Sequence, residues 1–127
     1  MRVLLDTQVL LWFLADSPKL PRAARVLIED AKEVFISAAS VWEASIKIGA
    51  GKLSVRREDL LSGIQGSRFT PLPVKIDHAA YVATLPHHHR DPFDRMLVTQ
   101  AILETLRLLT ADEFLSRYSE LVVQVRQ

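Results

Sequence analysis

Two aspartates three residues apart, Asp91 and Asp94, follow a run of three histidines in "HHHRDPFDR". Side chains of these types can hold a metal, grip a phosphate, form part of an acidic catalytic centre, or cap a helix in a solvated loop. Which of these holds depends on where the other acids fall. Asp6 stands directly after the apolar run "RVLL", and Asp112 lies two residues past "RLLT". Glu43 sits between Trp42 and Ala44 in "SVWEASIK".

The elements that carry these acids follow from pattern. "RVLL" (Arg2–Leu5) and "RLLT" (Arg107–Thr110) read as short buried strands, as does "EVFIS" (Glu33–Ser37). "LVVQV" (Leu121–Val125) reads as a last strand, and "FTPLPV" (Phe69–Val74), with two prolines, as an edge strand. Between them, apolar spacing predicts helices over Thr7–Ala15 and from Pro21, at the first helical position, to about Lys32. Further helices are expected over Ala39 to about Ile48, stopped by Gly49 and Gly51, and over Arg56–Gln65. Asp77 suits the cap of a helix through Leu85, Pro92–Leu106 is a strong helix, and Ala111–Tyr118 is a short one. Strands alternating with helices imply an α/β fold, a three-layer α/β/α sandwich with a mostly parallel central sheet. No repeat or linker interrupts the chain, so one domain over 1–127 is the economical reading. Sites in such open sheets form beyond the carboxyl ends of the strands.

Composition bounds the function. A chain of 127 residues, 49% hydrophobic, can bury a real core and is not disordered. A net charge of +1 gives no argument for nucleic-acid binding beyond a local patch. The absence of cysteine excludes disulfides and thiolate zinc sites and fits a reducing, cytoplasmic setting. Asp6 and Gln8 break the apolar N-terminus, whose run from Val9 to Ala15 is far below the ~20 residues that span a bilayer. A soluble, non-membrane protein is expected.

Each acid has a plain structural role open to it. Asp91 can cap the helix at Pro92, with Asp94 in its first turn. Thr110 can cap the next helix, with Glu113 completing a capping box and Asp112 favouring the dipole. Asp6 can cap the helix starting at Thr7, and Glu43 can pair with Lys47 on the surface. Together, however, these roles put three carboxylates at one sheet edge and bring Glu43 in from the same side. Like charges so close raise one another's pKa. A hard cation such as Mg²⁺ or Mn²⁺ relieves that repulsion and supports phosphate chemistry.

The order "LLDTQVLLW", "ISAASVWEASIKIGAGKL", "HHRDPFDRMLVTQA", "LLTADEF" resembles the PIN-domain ribonucleases, the toxin (VapC-like) type in particular, over nearly the whole chain. The resemblance implies a parallel sandwich with Asp6, Glu43, Asp94 and Asp112 as the clustered acids, binding one or two Mg²⁺ or Mn²⁺ ions for RNA phosphodiester hydrolysis. It gives Thr7 and Thr110 the role of orienting ligands or water, and leaves Asp91 as a supporting residue or cap. Hydrolysis in the family needs no covalent intermediate and leaves a 5′-phosphate. It also implies a homodimer and a cognate antitoxin protein that lays a helix in a groove of the toxin. One departure is "LVTQA", which puts Thr99 where a small residue is usual.

RNA requires cations near the acids. Lys47, Lys52, Arg56 and Arg57 follow the Glu43 helix, while Arg90 and Arg95 bracket the acid pair. Trp12, Phe13, Trp42 and Phe93 are expected in the core. Adjacent histidines in a loop point different ways and His78 is remote, so a dedicated zinc site is not favoured. His89 is a candidate for phosphate contact or proton transfer. A receiver domain expects adjacent acids after the first strand and a phosphoacceptor Asp after the third, and neither is present. A haloacid-type phosphatase expects acids at i, i+2, where this chain has Gln8. A housekeeping RNA-processing nuclease and a non-catalytic binding module complete the alternatives.

Overall fold

Val3, Leu4 and Leu5 are all fully buried, although successive residues of a strand face opposite sides of its sheet. Both faces of this strand are therefore covered, which explains its unbroken apolar run. In the computed structural model, which describes residues 1–125, it is β1 (Arg2–Leu5). The last two residues of the expected 1–127 domain lie outside the described residues. β1 pairs in parallel with β2 (Glu33–Ser37) on one side and β4 (Arg107–Thr110) on the other. β3 (Thr70–Leu72) and β5 (Val122–Gln124) form the edges, giving the order β3-β2-β1-β4-β5 with every pairing parallel. The mostly parallel sheet expected from the sequence is thus wholly parallel.

The helices are α1 (Thr7–Leu14), α2 (Arg22–Asp30), α3 (Ala38–Gly49), α4 (Arg57–Gly66), α5 (Ile76–Tyr81) and α6 (Pro92–Glu104). Val3, Leu5, Val34, Ile36 and Leu109 pack one face of the sheet against Val9, Leu10, Ala24, Ile28, Ala44 and Leu60. Leu4, Phe35 and Leu108 pack the other against Leu97, Val98, Ala101, Leu106 and Leu115. Helices on both faces make the expected three-layer sandwich. Strands are added outward from β1 through β2 to β3, and the chain then returns to place β4 on the other side of β1. The winding switches direction between β1 and β4, the crevice where open sheets place ligands.

Several boundaries differ from the sequence pattern. Pro21 precedes α2 as its cap rather than opening it. Lys75, not Asp77, caps α5, and the helix expected to reach Leu85 tightens at Val82–Thr84 into a 3-10 turn. The short helix expected over Ala111–Tyr118 is a 3-10 segment, Glu113–Arg117. Gly51, at φ 73°, ends α3: its own N–H donates to Ile48 O at 3.1 Å and that of Lys52 to Lys47 O at 2.8 Å, which only a left-handed residue permits cheaply. Trp42 and Phe93 do not join the core as expected. Trp42 is 63% exposed and meets the Phe93 ring edge-on at 5.0 Å. His78 is buried. Its Nδ1 accepts the Lys75 N–H at 3.0 Å, so Nε2–H donates to Glu104 at 2.8 Å. No helix among the described residues is long and apolar enough to cross a membrane.

Candidate functional site

Because β1 ends at Leu5, Asp6 is carried to the carboxyl edge of the central strand, and its N–H still donates to Leu109 O of β4 at 3.0 Å. Its carboxylate does two jobs. Oδ1 caps α1 by accepting the Val9 N–H at 2.8 Å, and Oδ2 accepts the Thr110 hydroxyl at 2.6 Å. The residue is 5% exposed. Burial raises its pKa from 3.8 to about 6, prevailing over those two hydrogen bonds, and the charges of Glu43 and Asp112 push the same way.

Asp94 arrives on α6. Asp91 caps that helix as expected, its Oδ1 accepting the N–H groups of Phe93 at 2.8 Å and Asp94 at 3.1 Å, with Pro92 in the first turn. Burial raises Asp94 to about 7, followed by the charges of Asp91 and Asp6. The charges that act on Asp6 and Asp94 thus include each of the other expected acids, and Asp91 besides. The four are near neighbours.

Asp112 caps the 3-10 segment through Oδ1, which accepts the Phe114 N–H at 2.9 Å, and its own N–H donates to Thr110 Oγ1 at 3.0 Å. The Thr110 side chain therefore serves Asp6 and Asp112 and makes no capping box with Glu113. Glu43 does pair with Lys47, at 3.2 Å, but not on an open surface: its side chain is 13% exposed. Glu43 Oε1 is buried without a hydrogen-bond partner, and so is Thr7 Oγ1.

A cleft of about 290 Å³ opens over this ground, lined by Asp6, Thr7, Gln8, Glu43, Lys47, Asp91, Asp94, Ala111 and Asp112. The donor set fits a hard divalent cation. It offers carboxylate oxygens, among them those of two acids whose pKa burial raises, and one orphaned carboxylate oxygen with no hydrogen-bond partner.

The expected cations fare differently. Lys47 lines the cleft, whereas Lys52, Arg56 and Arg57 do not. Arg56 and Arg57 lie at the start of α4 with side chains 75% and 73% exposed and only loose pairing to Glu58, at 3.8 and 3.5 Å. Arg90 is exposed. Arg95 corrects the expectation of a phosphate grip: it is 8% exposed, and its guanidinium donates to the carbonyls of Pro86 at 2.9 Å, Val82 at 3.2 Å and Leu85 at 3.4 Å, and to Tyr118 Oη at 3.1 Å. Its donors are consumed inside the fold.

Sequence reasoning underrated His89 and missed Tyr118. His89 Nε2 lies 2.8 Å from Asp112 Oδ2 and 3.1 Å from Asp94 Oδ2. These three side chains offer ligand atoms within 4.8 Å of one another. Tyr118 Oη accepts the N–H groups of His88 and His89. No periodicity links the histidine loop to Asp112 or Tyr118, so sequence carried no signal for either contact.

A wholly parallel sandwich with acids gathered where its winding switches defines the class of fold and site. The chain belongs to the PIN-domain family, whose model matches residues 3–121, and the family is one of nucleases. No curated protein sequence matches it. Among solved structures it is similar to VapBC2 from Rickettsia felis bound to a DNA fragment from their promoter, with 18% identity, 99% of this chain and 100% of that chain covered, and a TM-score of 0.72. It is also similar to FitAB bound to the IR36 DNA fragment, at 18% identity with 98% and 94% covered and a TM-score of 0.64. For FitAcB from Neisseria gonorrhoeae the figures are 19% identity, 98% and 97% covered and 0.64. At such identities these likenesses speak to the fold.

Proposed function

We propose that the chain is a divalent-metal-dependent endoribonuclease and the toxin of a toxin–antitoxin pair. The observation that carries the catalytic part is the cleft holding Asp6, Glu43, Asp94 and Asp112 with an unpartnered carboxylate oxygen. Asp6, Asp94, Asp112 and Glu43 would hold Mg²⁺ or Mn²⁺. When bound, such an ion supplies Lewis acidity at a phosphodiester and lowers the pKa of water. Thr110 keeps Asp6 aligned, Asp91 starts the helix that presents Asp94, and the buried Thr7 hydroxyl is free to orient a water. Lys47 stands where it can offset the charge of an incoming phosphate, while Lys52, Arg56, Arg57 and Arg90 offer exposed cations for the flanking strand. The toxin part is supported by the family and by the toxin–antitoxin proteins that share the fold. Those neighbours support a cognate antitoxin as partner, and a homodimer acting in the cytoplasm completes the reading.

The test combines chemistry and biology. Purified protein with Mn²⁺ should cut single-stranded RNA to products bearing 5′-phosphates, and chelation should stop it. Induced alone in cells, the chain should arrest growth, and Asp94→Asn should not. Products bearing 2′,3′-cyclic phosphate formed in the presence of chelator would contradict the reading.

A further inference from the structure

We propose that His89 is a positioning residue: its ring donates one N–H to Asp112 and so sets that carboxylate, with Asp94 beside it, for the cation. This rests on the metal reading above. His89 Nδ1 accepts the backbone N–H of Arg90 at 3.0 Å, so the ring proton lies on Nε2. That Nε2–H donates to Asp112 Oδ2 at 2.8 Å, and Asp94 Oδ2 lies 3.1 Å from the same nitrogen without a hydrogen bond to it. With Phe114 N–H on Oδ1, both oxygens of Asp112 are then fixed by protein donors.

The ring is held in place before any ion arrives. Tyr118 Oη accepts the N–H of His88 at 3.1 Å and that of His89 at 2.8 Å. Buried Arg95 ties Tyr118 Oη to the Pro86 carbonyl, and the His88 ring rests edge-on against Tyr118 at 5.0 Å. Arg95, a poor candidate for gripping RNA, thereby gains a role as the anchor of this loop.

The energetic logic is one of repulsion and orientation. Asp94 and Asp112 are like charges drawn to one point. A donor to Asp112 offsets part of their repulsion, yet leaves that oxygen a second lone pair for a ligand. A ring nitrogen that carries its proton is not itself a ligand. Outer hydrogen bonds of this kind are worth about 10- to 100-fold in metal affinity.

The experiment titrates Mn²⁺ into wild type, His89→Ala, His89→Gln and Tyr118→Phe at one neutral pH, and records spin-echo spectra of the bound ion in wild type. The glutamine amide can place an N–H where Nε2 stands. His89→Ala should bind about 10- to 100-fold more weakly, while His89→Gln should stay within about threefold of wild type. Tyr118→Phe should also weaken binding although it touches neither acid, and the wild-type spectrum should show no directly coupled imidazole nitrogen. His89→Ala binding as tightly as wild type, or more tightly, would overturn the proposal. So would a coupled nitrogen with His89→Gln as weak as His89→Ala, which would make the ring a ligand. Wild type that binds no Mn²⁺ would overturn the metal reading along with it, whereas the other failures leave that reading standing.

Discussion

The Thr110 hydroxyl donates to Asp6 Oδ2 at 2.6 Å, joining residues 104 positions apart across the seam between β1 and β4. That bond is one of the two that hold the Asp6 charge against burial. Thr110→Val keeps the shape and removes the donor. The Asp6 carboxyl should then rise further, and Mn²⁺ affinity should fall about tenfold, consistent with a charge-assisted bond of ~1.5–3 kcal/mol. Thr110→Ser should retain most of it. Calorimetric titration checks both, and unchanged affinity in the valine variant would remove Thr110 from the site.

The pH dependence of stability follows from two raised acids. Asp6 at about 6 and Asp94 at about 7 keep protons in the fold that the unfolded chain has already released above 3.8. Their contribution is fully present below about 4 and is lost as pH climbs through 6 to 7. Without metal, Tm should therefore fall between about pH 5 and pH 8, and the Asp6→Asn, Asp94→Asn double variant should flatten that slope. A divalent ion takes the place of the protons, so Mn²⁺ should raise Tm most at the alkaline end. Scanning calorimetry across pH checks this, and a metal-induced shift greater in acid than in base would contradict it.

Arg95 should matter to folding and not to RNA. Arg95→Met strips hydrogen bonds from the carbonyls of Val82, Leu85 and Pro86 and should cost about 3 kcal/mol or more in urea denaturation. Lysine should not rescue it, because one ammonium cannot span the fork. Arg90→Ala, at an exposed site, should weaken RNA binding with little change in Tm. Equal stability losses at the two positions would sink the distinction.

Thr105 closes α6 in the left-handed region at φ 54°, where a β-branched side chain is strained. Thr105→Gly should stabilise the protein by ~1 kcal/mol, or about 3–5 °C in Tm. A lower Tm would show that the strain is offset elsewhere.

The contrast between Asp6 and His89 shows what could be read in advance. Strands buried on both faces leave unbroken apolar runs, and Asp6 directly after β1 and Asp112 two residues past β4 inherit their position from the sheet. The start of α6 was equally legible, because Asp91 and Pro92 meet the local needs of a helix N-terminus. His89 meets Asp112 through a loop, across 23 residues, and no local rule encodes that distance. Arg95 looked like a surface cation because its type usually is one. What buries it is a set of carbonyls freed by the 3-10 turn at Val82–Thr84 and the Pro86 bend, a product of tertiary structure. Trp42 looked like core, yet on α3 it faces away from the sheet while Ala44, two residues on, is fully buried against it.

The central claim is that Asp6 and Asp94 trade stability for a cation that cuts RNA. The direct measurement compares wild type, Asp6→Asn and Asp94→Asn for cleavage of single-stranded RNA with Mn²⁺, alongside Tm without metal near pH 8. Each variant should lose at least about a hundredfold in rate while its metal-free Tm stays level or rises, because a buried, repelled charge has gone. Full cleavage activity in both variants would contradict the account.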